Sequence, residues 1–408
     1  RFMQHVSWSR SANIYQVNVR QYTPEGTLNA FAAHLPRLHQ MGVDMLWLMP
    51  VQPTAKPQRK GQWSANDAVT DHVAVNPALG TLNDFKALVQ QAHALGMKVM
   101  IEWVTQHTAL DHVWVKQHPE WYLKNGPGKR ATAQQKSGNP QAEDSQRLGL
   151  DFSQKTLWTA LTQAMQFWVK EADVDGFSCQ SAGEIPLKFW QQVRVKLNAI
   201  KPVFMLAGAD DTALEDESFD MIYDWALYDL LKKIAQGHAD VLDLKTYLAM
   251  AASDGPADTY RMTFTANADT NARHNHDAAH FGDAFAAMCV IAATFPGMPL
   301  IYSGQESGLH KMLSISDKDP IEWQTFKYEK LYANLLAMKK KHPALHNGTA
   351  GASVEVFDAD NRHILAFRRQ KGIDVVSVQL NLSGQNQTFN LHGKPRKLGA
   401  WEYQIQTS

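Results

Sequence analysis

Short runs of apolar and β-branched residues alternate with amphipathic stretches over most of the chain. The amphipathic stretches repeat their apolar side chains at helical spacing, as in Leu28, Phe31, Leu35, Leu38 and Met41. The apolar runs predict strands at residues 13–19, 43–51, 97–104, 174–182, 203–210, 221–225, 261–269 and 298–306. Strands that alternate with helices pair in parallel, and about eight such units close a barrel. The pattern therefore predicts an α/β fold, a (β/α)8 TIM barrel, over residues 1–342.

Two parts of the chain depart from this alternation. Residues 108–149 are polar, rich in Gly, Lys, Gln and Asn, and too long for a plain connection between a strand and a helix. They predict a short inserted domain after strand 3. After residue 342 the apolar pattern takes a period of two, with turns at pairs such as Asp360-Asn361 and Lys371-Gly372. This predicts a C-terminal antiparallel β-sandwich domain over residues 343–408.

Composition and charge exclude several classes of protein. Forty basic residues balance forty acidic ones among 408 residues, so nothing predicts a nucleic-acid partner or a polybasic membrane anchor. The longest uncharged stretch, 285–302, contains Pro296, Gly297 and Pro299, which predict buried core and no membrane segment. Cys179 and Cys289 predict buried thiols without a disulfide. The chain opens at Arg1 without a recognisable signal peptide; we expect a trimmed or processed chain and leave secreted, periplasmic and cytoplasmic locations open.

The barrel architecture selects the positions that should carry chemistry. Functional side chains lie at the carboxyl ends of barrel strands. The positions selected in this way are 15–20, 49–52, 102–107, 178–184, 208–211, 224, 267–271 and 304–306. Several of these positions hold carboxylates, but the number of carboxylates does not show whether the site is catalytic. Cleavage of a glycosidic bond requires a nucleophile or base and an acid about 5 to 9 Å apart across that bond.

A set of motifs gives the chain a resemblance to a known family. They are NIYQVNVRQYTPEGTLNAF, VDMLWLMPV, VNPALGTLNDF, KVMIEWVTQHT, VDGFSCQSAG, PVFMLAGAD, MTFTANADTN and GMPLIYSGQESG followed by KDPIEW. In this order and at these separations the chain resembles the α-amylase superfamily of glycoside hydrolases (family 13-like) over essentially its whole length. The resemblance implies retaining cleavage or transfer at α-glucosidic bonds. It also implies an Asp nucleophile after the fourth strand, a Glu acid/base after the fifth and a second Asp after the seventh.

The residues at those three places depart from the family pattern. The Gly-Phe-Arg-x-Asp motif reads GFSCQ at 176–180, which places Gln180 at the nucleophile position and Ser178 at that of the Arg. The acid/base position falls on Gly208, which has no side chain to carry a proton. After the seventh strand the family's Asn-His-Asp reads Asn267-Ala268-Asp269, so Asp269 matches the third carboxylate and the imidazole is missing. We therefore predict no standard catalytic residue.

The third strand and its surroundings are also altered. Glu102 and Gln106 stand where the family has Asp and Asn, each one methylene longer, while His107 agrees with the pattern. The family's calcium site commonly uses that Asn, so Gln106 argues against calcium, and no other cofactor is predicted. The family's sugar-stacking aromatic falls on Asp67, and the Tyr that ends its motif falls on His72. The substrate-binding candidates are His107, Asp269, Gln180, Glu102 and Asn267.

Two further sets of residues admit a functional and an ordinary interpretation. His274, His276 and His280 follow the seventh strand, and the last two have the spacing of metal ligands on a helix. No glutamate base sits between them, and we favour solvated histidines over a metal site. Aromatic residues around the insertion predict packing of the insertion against the barrel, although one or two exposed rings would suffice to stack on a glucan. They are Trp103, Trp114, Trp121, Tyr122 and Trp158.

Three functions follow from this sequence, in order of preference. Loss of one catalytic group often costs several powers of ten in rate, which favours a pseudoenzyme that binds an α-glucan or maltooligosaccharide, or a protein partner, at the top of the barrel. The first alternative is an active hydrolase or transglycosylase that uses Glu102, Asp210 and Asp269 as non-standard carboxylates. The second is an interaction scaffold without sugar binding. Whether the protein is an enzyme stays open among these hypotheses.

Overall fold

Eight parallel strands close into a barrel in the computed structural model, which describes residues 4–57, 64–124, 146–274 and 277–408. Around the barrel the strand order is β1-β10-β9-β8-β7-β6-β3-β2. The barrel strands are β1 (Ile14–Val17), β2 (Met45–Leu48), β3 (Lys98–Trp103), β6 (Gly176–Cys179), β7 (Phe204–Ala207), β8 (Met221–Tyr223), β9 (Tyr260–Thr263) and β10 (Met298–Tyr302). The predicted (β/α)8 barrel is confirmed.

Helices connect these strands and cover the outside of the barrel. The α-helices are α1 (Val19–Tyr22), α2 (Leu28–Ala32), α3 (Leu35–Met41), α4 (Leu82–Ala94), α5 (Trp114–Gln117), α6 (Lys155–Ala172), α7 (Leu187–Asn198), α8 (Trp225–Ala235), α9 (Val241–Ser253), α10 (Ala268–His274), α11 (Asp277–His280), α12 (Phe285–Thr294) and α13 (Glu329–Lys341). Short 3-10 helices lie at Ser7–Ser11, Pro119–Trp121, Ala182–Glu184, Thr212–Glu215, Gly282–Ala284, Gln305–Ser307, Pro343–Leu345 and Gly348–Ala350. No helix in the described ranges has the length and apolar character needed to cross a membrane.

Each barrel strand is shorter than, or shifted from, the apolar run that predicts it. The largest difference concerns residues 261–269, where the strand ends at Thr263 and α10 begins at Ala268. Asn267 and Thr270 explain this boundary, because the Asn267 Oδ1 accepts the Thr270 amide and the Thr270 Oγ1 accepts the Asn267 amide, both at 2.9 Å. This reciprocal pairing favours a helix start over a continued strand.

The segment after β3 forms a small excursion from the barrel rim. Strand β4 (His107–Ala109) pairs antiparallel with β5 (Arg147–Gly149), and α5 lies between them along the chain. Much of the predicted inserted domain, residues 125–145, lies outside the described residues. Trp103, Trp121, Tyr122 and Trp158 are buried, in agreement with the packing interpretation, whereas Trp114 is half-buried.

The C-terminal region packs an antiparallel sheet between two apolar cores. Strands β11 (Val354–Phe357), β12 (Ile364–Lys371), β13 (Asp374–Asn381) and β16 (Tyr403–Thr407) form this sheet, and β14 (Gln387–Leu391) pairs with β15 (Lys394–Leu398). Leu365 and Phe367 of β12 join the main core, while Ile364 and Ala366 join a second core with the β14–β15 ribbon. Successive side chains of a strand point to opposite faces, so every one of these four is buried. The predicted C-terminal β-domain is confirmed.

Buried charged groups hold the lower end of the barrel and the C-terminal sheet. Asp220 pairs with Arg194 at 2.9 Å and with His5 at 2.8 Å. Lys339 donates to the carbonyl oxygens of Gly297 and Leu345, at 3.0 and 2.6 Å. Cys179 and Cys289 are buried and are not joined by a disulfide, as the sequence predicts.

Glu215 is a buried carboxyl near the start of β9. It is 3% exposed, and burial raises its pKa to about 8, from 4.5. The carboxyl is thus protonated in the folded protein over a pH range in which the unfolded chain ionises it. Its contribution to stability is fully present below about pH 4.5 and is lost as the pH rises toward 8.

We expect Glu215→Gln to raise the free energy of unfolding at pH 8 by about 1–3 kcal/mol, with a much smaller gain at pH 5. The amide keeps the shape of the neutral acid and never ionises. Urea denaturation at both pH values measures the difference. Glu184→Gln is the matched control because Glu184 is exposed. Equal responses of the two variants would show that Glu215 is not held as the neutral acid.

Candidate active site

A cavity of about 460 Å³ opens at the carboxyl ends of the barrel strands. We call it the mouth cavity. Parallel strands all end on the same face of a barrel, so residues far apart in sequence meet there. Its lining includes Gln16, Arg20, Trp47, Asp67, Glu102, Gln106, Arg147, Ser178, Gln180, Gly208, Tyr223, Trp225, Asn267, Ala268, Asp269 and Ile315.

The structure brings four of the five substrate-binding candidates to this cavity. Glu102, Gln180, Asn267 and Asp269 line it, and His107 does not. His107 is buried on β4, and its Nε2 lies 3.0 Å from the backbone oxygen of Asp67. It therefore supports a lining residue from behind, and its role as a sugar contact stays a prediction.

Other strand-end carboxylates have structural roles. Glu306 is fully buried and accepts hydrogen bonds from the Tyr15 hydroxyl at 2.7 Å and from Arg37 at 3.0 Å. Asp224 caps α8 by accepting the Leu227 amide at 3.0 Å. Asp210 is exposed and is not part of the mouth lining, so the structure does not place it with Glu102 and Asp269.

A chain of side-chain amides ends on Glu102. The Gln106 Nε2 donates to the Gln180 Oε1 at 3.0 Å, and the Gln180 Nε2 donates to the Glu102 Oε2. Gln180, the predicted nucleophile position, is therefore a neutral amide whose oxygen and nitrogen both form hydrogen bonds. This agrees with its interpretation as a polar residue satisfied by its neighbours.

Glu102 is a carboxyl that stays protonated at neutral pH. Burial raises its pKa to about 8, and the charges of Asp269 and Asp67 act in the same direction against the hydrogen bond from Gln180. A buried neutral acid is a chemical group that can donate a proton. Glu102 is thus the candidate acid in the mouth cavity.

The backbone leaves no room for a side chain at Gly208, the predicted acid/base position. The Gly208 amide donates to the Cys179 carbonyl oxygen at 2.8 Å. A Cβ on Gly208 would lie 2.7 Å from that same oxygen and 3.2 Å from the Cα of Gln180. The ends of β6 and β7 therefore approach too closely for any side chain at this position without movement of the backbone.

An ion pair occupies the wall where the family places its stacking aromatic. The Asp67 Oδ1 accepts from the Arg147 Nε at 2.9 Å and from its Nη2 at 2.8 Å. Burial alone would raise the pKa of Asp67, but His107 and Arg147 together lower it. Sequence reasoning missed Arg147 because it comes from the excursion, 80 positions away, and no local motif marks it.

The lining also offers polar atoms and aromatic rings. Asn267 is 1% exposed, and neither its Nδ2 nor the Oε1 of Gln106 has a hydrogen-bond partner among the described residues. Trp47, Tyr223 and Trp225 contribute rings. None of the three was singled out in the sequence, although all lie at or just after strand ends, a position that could have marked them.

The histidine cluster remains a prediction. His276 and the side chain of His274 lie outside the described residues, and the described part of the chain holds no group of three or more His, Cys, Asp or Glu side chains that could bind a metal. The ring of His280 lies 6.4 Å from that of Phe281.

Comparison with known proteins agrees with this architecture. The family model for the catalytic domain of α-amylase matches residues 7–196. An α-amylase structure from Lactobacillus plantarum shares 25% identity, covers 99% of this chain and 100% of its own, and superposes with a TM-score of 0.86. These findings support the α-amylase superfamily as the family of this chain. A maltogenic α-amylase of Thermotoga neapolitana, 24% identical over 98% of this chain and 96% of its own, has the same fold with a TM-score of 0.83.

Curated members of the superfamily extend the comparison. An α-1,4-glucan:maltose-1-phosphate maltosyltransferase of Rhodospirillum rubrum is 28% identical over 88% of this chain and 54% of its own length. α-Amylase MalA of Haloarcula japonica is 25% identical over 94% of this chain and 57% of its own. The chain spans about half the length of these curated relatives. They place it in a superfamily of enzymes that act on α-glucans.

The closed position at Gly208 gives a test. We expect Gly208→Ala to lower the free energy of unfolding by about 1–3 kcal/mol, because its methyl group would overlap the Cys179 oxygen. Gly183→Ala is the matched control, because its nearest neighbour would be the Ala209 Cβ at an ordinary 3.8 Å. Chemical denaturation measures both variants. A Gly208→Ala variant as stable as its control would contradict the close approach of the two strands.

Proposed function

We propose that the mouth cavity binds an α-glucan and that the protein does not cleave it by the usual double displacement of its superfamily. The observation that carries the proposal is the pair formed by an amide at Gln180 and a closed backbone at Gly208. These are the places of the nucleophile and of the acid/base in the family pattern.

The lining favours a neutral polyol as ligand. Sugar hydroxyls both donate and accept, which matches the amide and carboxyl side chains of the lining, such as Gln106, Asn267 and Asp269. The apolar face of a sugar ring packs on aromatic rings such as that of Trp225. The relative from Rhodospirillum rubrum is named for an α-1,4-glucan, which supports this class of ligand.

The chemistry of the altered positions argues against ordinary turnover. A retaining glycosidase needs a carboxylate that attacks the anomeric carbon and an acid that protonates the leaving oxygen. The amide of Gln180 is neutral and engaged at both ends, and Gly208 carries no proton. The site can then act on a glycosidic bond only by positioning the sugar and by electrostatic stabilisation. These effects alone give only a small residual rate of cleavage.

One observation favours a second candidate, an enzyme with a rearranged pair of carboxylates. Glu102 is held as the neutral acid up to about pH 8 and lines the same cavity as Asp269. In such an enzyme Glu102 would donate the proton, and Asp269 would act as base or nucleophile. The names of the relatives, transferases and amylases, agree with this candidate.

We expect calorimetry to detect binding of maltotriose, and chromatography of the same mixture to detect no shorter sugar. Asp269→Asn should weaken binding at least about tenfold because it removes the charged acceptor in the lining. Asp210→Asn should leave binding unchanged, since Asp210 is exposed outside the cavity. Failure of every maltooligosaccharide to bind would refute the proposal and leave the scaffold hypothesis. Cleavage that disappears in Glu102→Gln would establish the second candidate.

A double variant with the family's two carboxyl residues tests whether these two positions alone account for the proposed loss of catalysis. We expect the double variant Gln180→Asp, Gly208→Glu to hydrolyse 4-nitrophenyl α-maltoside at least about a thousandfold more slowly than an ordinary superfamily member. The new Glu would have to displace the Cys179 carbonyl, and Ser178 and Ala268 still lack the family's Arg and His. Circular dichroism checks that the variant is folded. Full activity would show that the strand ends separate readily.

A further inference from the structure

A second cavity, of about 400 Å³, lies beside the excursion and α6. We call it the side cavity. One chain segment serves both cavities: Asp67 belongs to the mouth lining, and Thr70 and His72 belong to the side cavity. Three residues of extended chain span at most about 11 Å, so the two cavities are neighbours.

The walls of the side cavity combine an aromatic ring with apolar side chains. Trp114 is half-buried there, and Val73 and Val113 are 41% and 57% exposed. Ala160 and Ala164 of α6 form the opposite wall with small side chains. Exposed apolar side chains that meet at a cavity indicate a binding surface more than isolated ones do.

The polar groups of the side cavity suit a neutral ligand. Asp71 and Gln163 are exposed on its lining, and they supply a carboxylate acceptor and an amide. No Lys or Arg of the described residues lines it, so nothing there would neutralise a phosphate or an acidic peptide. Hydroxyl groups are the donors that Asp71 and Gln163 would accept.

A pair of histidines leaves one further donor. The Trp114 amide donates to the Nδ1 of His112 at 3.1 Å, so the proton of neutral His112 sits on its Nε2. That nitrogen lies 2.9 Å from the Nδ1 of His72, which must accept. The Nε2–H of His72 is then a donor buried below the cavity surface, with no partner among the described residues. The polar contacts open to a ligand are therefore those of Asp71 and Gln163.

We propose that the side cavity is a second α-glucan site that adjoins the mouth. This inference rests on the proposed function, because it commits to the same polymer as ligand. A sugar ring would pack its apolar face on Trp114 and Val113, and its hydroxyls would donate to Asp71 and Gln163. Two neighbouring sites on one chain raise the avidity for a long glucan without changing the affinity of the mouth for a short one.

A pair of neighbouring substitutions on α6 tests the inference. Ala160→Phe fills the side cavity, whereas Thr159→Phe places the same ring at the adjacent exposed position outside its lining. We expect Ala160→Phe to weaken adsorption to insoluble amylose at least about tenfold and to leave unchanged the maltotriose binding at the mouth, which is the part that Asp269→Asn weakens. Thr159→Phe should change neither quantity.

A second pair covers the event that Ala160→Phe does not fold. Val113→Glu puts a charge over the side cavity at an exposed position, and Val195→Glu is its control because Val195 is 69% exposed on α7. Val113→Glu should also weaken adsorption to amylose, and its control should not.

The outcomes separate the two proposals. If Ala160→Phe and Val113→Glu both adsorb to amylose as strongly as the wild-type protein, the proposal of a second site is overturned. The proposal that the mouth binds a glucan would not be affected. An equal loss of maltotriose and amylose binding would also overturn it, since the side cavity would then act only through the mouth. A third outcome is that the wild-type protein adsorbs to amylose but does not bind maltotriose, and that Ala160→Phe abolishes this adsorption. That result would support the side cavity and refute glucan binding at the mouth.

Discussion

The close approach of β6 and β7 at their carboxyl ends governs the chemistry of this barrel. A Cβ on Gly208 would lie 2.7 Å from the Cys179 carbonyl oxygen, so no side chain fits at this position without movement of the backbone. Gln180 follows Cys179 in the sequence, and its side chain forms hydrogen bonds with Glu102 and Gln106. The missing acid and the engaged amide are therefore parts of one local arrangement of the backbone.

Some of the charges of the mouth cavity are neutralised within the protein, while the Asp269 carboxylate remains in the lining. Asp67 is paired with Arg147, Glu102 is protonated at neutral pH, and the amides of Gln106 and Gln180 carry no charge. A superfamily member that stabilises a positively charged transition state needs negative charge at the anomeric carbon. In this lining Asp269 is a carboxylate that could supply such a charge, beside polar and aromatic groups of the kind that bind neutral ligands.

The barrel was predictable from sequence because its strands are apolar runs bounded by polar residues, as in Met45–Leu48. Strand ends were not, since the pairing of Asn267 with Thr270 converts a continuing run into a helix start. In the site, motif positions identified Gln180 and Gly208. The partners of these positions depend on contacts between distant segments, such as Arg147 with Asp67 or His107 behind Asp67, and periodicity carries no information about them.

Strand β12 has a consequence for any attempt to work with the barrel alone. Leu365 and Phe367 belong to the main core, and the Phe367 ring lies 5.4 Å from that of Phe295, directly after α12. Arg369 of the same strand donates to the Thr294 carbonyl at 3.1 Å. Removing the C-terminal sheet would expose the apolar side chains of the barrel that it covers, and exposed apolar surface favours self-association. The two regions are thus one folding unit, and shortened versions for crystallisation or labelling must keep both.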